Sequence, residues 1–147
     1  MIQKRTIIIA LLLMIIPITA ISQCKYFAKQ HCKPLLQPYL HDGNYNAATM
    51  HAGESAELYK TLYAGQQYKL AISGEESLPK VQFKVLNMNG TVLYDNSEHN
   101  YKKTWKLKTN ASQQIIIKVS IPNSTKSNSS DQQKQKGCVA IMFGIKR

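Results

Sequence analysis

The stretch Val81-Gln82-Phe83-Lys84-Val85-Leu86-Asn87-Met88-Asn89-Gly90-Thr91-Val92-Leu93-Tyr94 decides the class of fold. Val81, Phe83 and Val85 fall on one side of an extended chain and Gln82 and Lys84 on the other. That period of two marks a strand with one buried face. Asn89-Gly90 suits the positive dihedrals of a tight hairpin, and Thr91 to Tyr94 returns as its second arm.

The same period extends both ways. Towards the amino terminus, Tyr45 to Met50, Ala56 to Tyr63, and Tyr68, Leu70 and Ile72 read as three strands. Gly53, Gly65 and the Gly74-Glu75-Glu76-Ser77 cluster punctuate them. Towards the carboxyl terminus, Tyr101, Lys103, Trp105 and Leu107 alternate, as do Ile115, Ile117, Val119 and Ile121, and Val139, Ile141, Phe143 and Ile145. Eight short strands with regular turn signals predict an all-β fold, an antiparallel β-sandwich of jelly-roll type. The exception is Lys25 to Lys33, a short helix with Phe27 and His31 one helical step apart, stopped by Pro34 and Pro38.

The first 22 residues have the zones of an export signal. Lys4 and Arg5 precede the unbroken apolar run Ile7 to Ile16, Pro17 breaks it, and Ala20 and Ser22 stand three and one before the Ser22/Gln23 bond. The run is too short to span a bilayer, which takes about 20 apolar residues. Gln23 before Cys24 is a poor context for lipid attachment. The expectation is a signal peptide over 1–22, a secreted or periplasmic location, and one domain over 23–147. Within that domain, 122–136 has no apolar side chain and is expected to be a mobile loop inside a hairpin.

Of the 19 Lys and Arg, two precede that bond, so 17 basic side chains face eight acidic ones in the mature chain. Such a balance favours anionic partners. Three cysteines remain, and export permits a disulfide while leaving one thiol over. Cys24–Cys138 would close the longest loop and is the favoured bridge; Cys32–Cys138 and Cys24–Cys32 stay open as alternatives.

Recognisable catalytic signatures are absent: there is no Gly-x-Ser-x-Gly, His-Glu-x-x-His, phosphate-binding glycine loop or Cys-x-x-Cys. Cys24 with His31-Cys32 could begin a soft metal site, but no second ligand pair has the spacing zinc requires. The acids worth inspecting beside a histidine or a turn are Asp42, next to His41, and Asp95. Alternation puts Lys102, Lys106 and Lys108 opposite Trp105, Lys84 opposite Phe83, Lys69 opposite Leu70, and Lys118 opposite Val119. These six form a candidate basic face for an anionic glycan, lipopolysaccharide or an acidic envelope protein; the alternative is an ordinary solvated sheet surface. Tyr45, Tyr59, Tyr63, Tyr94 and Tyr101 could include a sugar-stacking platform, although half-buried edge tyrosines are commoner. Asn-x-Ser/Thr triplets begin at Asn89, Asn110, Asn123 and Asn128.

Gly53-Glu54-Ser55-Ala56-Glu57-Leu58 and Leu62 to Leu70, with Phe83-Lys84-Val85-Leu86, Leu93-Tyr94-Asp95-Asn96, Trp105 and Gly137-Cys138-Val139-Ala140, carry a likeness. Together they resemble a family of small secreted proteins of Bacteroidota-type bacteria. That resemblance implies an all-β fold and an envelope or extracellular location, with no known activity and no catalytic residue. The Ala64-Gly65-Gln66-Gln67-Tyr68 turn is also similar to turns of bacterial pre-peptidase C-terminal sandwiches. The expected role is non-enzymatic binding or assembly at the cell envelope, without cofactor or nucleic acid. Alternatives are a basic-face glycan binder and a small secreted hydrolase or inhibitor.

Overall fold

The computed structural model describes residues 20–123 and 135–147. The expected signal peptide over 1–22 lies almost wholly outside the described residues, and so does most of the expected mobile loop, at 124–134. No helix among the described residues is long and apolar enough to cross a membrane.

Nine strands are described: β1 Leu40–His41, β2 Asn46–His51, β3 Ser55–Leu62, β4 Gln67–Gly74, β5 Gln82–Asn87, β6 Val92–Asp95, β7 Thr104–Lys108, β8 Gln113–Ser120 and β9 Lys136–Ile145. All pair antiparallel. One sheet runs β9-β4-β7 with β1 and β2 both on the outer side of β9; the other runs β3-β8-β5-β6. Because β1 and β2 pair with successive parts of β9, they are two pieces of one edge strand. The expected eight strands in two sheets, wound as a jelly roll, are therefore what the chain forms.

Leu70, Ile72, Phe83, Val85, Ile115, Ile117, Val119, Ile141 and Phe143 fill the space between the sheets. Each such side chain taken fully from water contributes roughly 1.5–3 kcal/mol. β4 and β9 differ from the rest in being buried on both faces. Their outward residues Ala71, Cys138, Ala140 and Met142 pack against Cys24, Phe27, Ala28, Cys32 and Leu36 of the amino-terminal segment. Small outward side chains let that segment lie close. A Cβ added at Gly144 would stand 2.7 Å from the Tyr39 Cβ.

The segment is the α-helix α1 (Ala20–Phe27), a wider π turn (Ala28–Cys32) and a 3₁₀ turn (Lys33–Leu36). The Phe27 and His31 rings stack at 5.0 Å, as their spacing predicts. Pro34 does not end the helical path. It sits in the first turn of the 3₁₀ segment, where its missing donor costs nothing, and the chain becomes extended only at Gln37.

The central hairpin also differs in detail. Gly90 donates to the Asn87 carbonyl and takes φ +82°, while Asn89 keeps an ordinary dihedral. The loop is thus three residues long, a turn followed by a glycine bulge. The Asn87 Oδ1 accepts from the backbone N–H groups of Asn89 and Thr91.

Candidate functional site

Cys24 and Cys138 form a disulfide, joining α1 to the outer face of β9 across 114 residues of sequence. This is the bridge that the spacing favoured, and it removes Cys24 from any metal set. Cys32 remains as a buried free thiol whose Sγ donates to the Ala71 carbonyl at 3.3 Å. Burial pushes that thiol up to about 12. No group of three His, Cys, Asp or Glu among the described residues is placed to hold a metal ion.

The six lysines do not share a face. Lys84 and Lys118 are cross-strand partners on the β3-β8-β5-β6 sheet, whereas Lys69, Lys106 and Lys108 belong to the opposite sheet. Lys84 pairs with Asp95 at 2.9 Å and Lys118 with Glu57 at 3.8 Å, so neither is a free cation. Lys69 is buried beneath the amino-terminal segment and donates to the Gln37 carbonyl at 2.9 Å. Its pKa is lowered by burial and then by the charge of Lys106 across the ladder. Lys102 lies in the connection before β7, because Asn100 and Tyr101 both adopt φ +54° and delay the strand to Thr104. Alternation is meaningful only inside a strand, and strands of the two sheets face opposite ways.

Asp42 and Asp95 are both engaged in bonds that hold the fold. Asp42 pairs with Lys60 and accepts from the Asn44 N–H at 2.9 Å. Burial would raise its carboxyl, but Lys60 and Asn44 more than offset that and lower it. Asp95 caps the short turn Asn96–His99 through Ser97 and accepts from Lys84 and Gln82. Burial again opposes, and the bonds from Ser97, Lys84 and Gln82 hold it well below the usual carboxylate range. Tyr94 stacks on His99 at 4.9 Å and Trp105 at 5.4 Å, closing the sandwich between β6 and β7. Tyr59 and Tyr63 are exposed.

One concavity lies where the sequence showed only a strand breaker. It is a cavity of about 270 Å³ between the β4–β5 loop and the connection into β7. Ile72, Leu78, Val81 and Phe83 line its apolar part; Glu76, Lys80, Tyr101 and Lys103 rim it. A second hollow, bordered by Phe27, His31 and Ser73, shares Gly74, Glu75, Glu76 and Lys103 with the first. Those shared residues form a ridge between two depressions.

The ridge is held from beneath. Glu75 donates its N–H to the Cys138 carbonyl at 2.9 Å, and its Oε2 accepts from the Cys138 N–H at 2.8 Å. Ser77 Oγ donates to the Lys136 carbonyl, and Leu78 closes a turn onto Glu75. On the far side, buried Asn96 accepts from the Phe83 N–H at 2.8 Å and donates to the Val81 carbonyl at 3.1 Å and the Lys102 carbonyl at 3.4 Å. Lys80 Nζ stands 5.5 Å from the centre of the Tyr101 ring. His31 and Ser73 both border the second hollow, but among the described residues no hydrogen bond joins them and Ser73 is buried; what the two hollows present is shape and mixed charge.

No family model and no curated protein matches the chain. Among solved structures it is similar to PliG from Aeromonas hydrophila, a periplasmic lysozyme inhibitor of g-type lysozyme. That likeness has a TM-score of 0.50 at 12% identity, over 75% of this chain and 90% of that one. Salmonella Typhimurium PliG aligns at a TM-score of 0.40 and 14% identity, over 69% of this chain and 89% of that one. The Aeromonas likeness bears on the fold alone, and it supports the two-sheet β architecture.

Proposed function

We propose that the mature domain is an extracytoplasmic, non-enzymatic protein that inhibits a peptidoglycan-cleaving glycosidase, docking through the β4–β5 end of the sandwich. The observation that carries this reading is the pinned ridge at Glu75 and Glu76 between two hollows. A loop already held in place loses little freedom on docking, which is how rigid inhibitors reach high affinity. The apolar lining of the first hollow suits one inserted side chain, and its charged rim suits orientation. A disulfide, a fold shared with a periplasmic inhibitor and the export-like amino terminus support the location. The basic-face reading loses support, since its lysines lie on opposite sheets and two are neutralised.

The test is hydrolysis of peptidoglycan by a g-type lysozyme titrated with the exported domain. Loss of activity near one domain per enzyme is expected. Full activity at a large excess of domain would refute the inhibitor reading.

A further inference from the structure

Lys25, Lys29 and Lys33 converge on a single ring, that of Tyr45. The Lys25 and Lys29 ammoniums stand 5.5 and 5.7 Å from its centre, and the Lys33 ammonium donates to its hydroxyl at 3.4 Å. An ordinary α-helix advances each fourth residue by about 40°, so a row of three would drift around the axis. Here the Lys33 N–H bonds back to the Ala28 carbonyl across the wider π turn. That turn takes back part of the drift and keeps the three in one row.

Like charges four residues apart repel each other on a helix. Among the described residues none of the three has a carboxylate within ion-pair distance. All three are exposed, unlike buried Lys69 and unlike Lys84, which Asp95 engages. The Cys24–Cys138 bridge fixes the start of this row to the sheet.

We infer that the Lys25–Lys29–Lys33 row over Tyr45 is a binding site for a multiply charged sulfated or phosphorylated glycan. Three ammoniums gathered about one ring can engage several anionic groups of one ligand at once, and the partly exposed ring beside them gives a sugar an apolar surface to rest on. The choice of a glycan over other polyanions rests on the extracytoplasmic reading above; the site itself does not. It lies on the amino-terminal segment, apart from the ridge at Glu75 and Glu76.

The experiment is calorimetric titration of the exported domain with a heparin-derived hexasaccharide, with inorganic phosphate and a neutral dextran oligomer as separate arms. Wild type should bind the hexasaccharide with salt-sensitive affinity. The K25Q/K29Q/K33Q triple should weaken binding at least tenfold, the matching Lys→Arg triple should keep it, and K84Q/K108Q/K118Q should leave it within about twofold. Retained protection of Cys32 would show that the variants are folded. Absence of binding by wild type, equal losses in both glutamine triples, or inorganic phosphate binding as tightly as the hexasaccharide would overturn the inference.

Discussion

The Glu75 carboxylate accepts a 2.8 Å hydrogen bond from the backbone of Cys138, the residue whose sulfur ties the amino-terminal helix to the sheet. The ridge and the helical layer are thus anchored at one point on β9. A bond to an ionised acceptor contributes about 1.5–3 kcal/mol. Glu75→Ala should lower stability by an amount in that range, and Glu75→Gln, which keeps an acceptor, by less. Urea unfolding measures both, and faster amide exchange at Cys138 in Glu75→Ala would place the loss at the ridge.

Reducing Cys24–Cys138 removes a constraint spanning 114 residues, which the chain-entropy model values at roughly 4–5 kcal/mol. The Cys24→Ser/Cys138→Ser double variant should show a loss of that order by urea unfolding. An unchanged midpoint would mean that the helix is held by packing alone.

The buried Cys32 thiol, pushed up to about 12, is almost wholly protonated at pH 8 and shielded by the helix. Iodoacetamide should leave native Cys32 unlabelled at pH 8 and label it once urea unfolds the chain. Rapid labelling without denaturant would contradict the docked helical layer.

The strands and the disulfide were legible in the sequence because their signals are local or set by spacing. Period two is a local property, so Phe83, Val85, Ile115 and Ile117 declared their strands without knowledge of partners. The cysteine bridge was favoured because one spacing closed the longest loop. What stayed hidden depends on pairing between distant strands. Lys84 and Lys118 look like neighbours of Lys69 and Lys106 in any list of alternating residues, yet sheet order sends them to opposite sides. Tyr101 looked like a strand residue because nothing in its type announces φ +54°. Asn96 carried a signal that could have been used: Asp95-Asn96-Ser97 is turn chemistry, and a polar turn residue between strands often bonds to the backbone.

Asp95 gives the fold a pH dependence. Its folded-state pKa lies below the unfolded value of about 3.9, so the unfolded chain binds protons first on acidification. The stabilisation is fully present above roughly pH 5 and is lost as pH falls through the folded pKa. Asp42, also lowered, adds in the same direction. Urea midpoints should therefore fall steadily from pH 5 towards pH 2, and Asp95→Asn should both lower the pH 7 midpoint and flatten that slope. A wild-type midpoint that stays level down to pH 2 would contradict the assignment.

Asn96→Ala should cost about 3 kcal/mol, because it leaves the Phe83 N–H and the Val81 carbonyl without their partner at a buried position. Asn96→Asp, which turns a buried carboxylate oxygen towards the Val81 and Lys102 carbonyls, should cost more than Asn96→Ala. Thermal unfolding separates the two, and an Asn96→Ala midpoint equal to wild type would remove the support assigned to this side of the cavity.

The central claim is that the β4–β5 end is the docking surface. Its most direct measurement is the inhibition constant for a g-type lysozyme, taken for wild type, Tyr101→Ala, Glu76→Lys and the distant Lys118→Gln. The account predicts at least tenfold weaker inhibition for Tyr101→Ala and Glu76→Lys, with Lys118→Gln within about twofold of wild type, as expected where a few central residues dominate binding. Equal inhibition by all four proteins, or none by wild type, would contradict it.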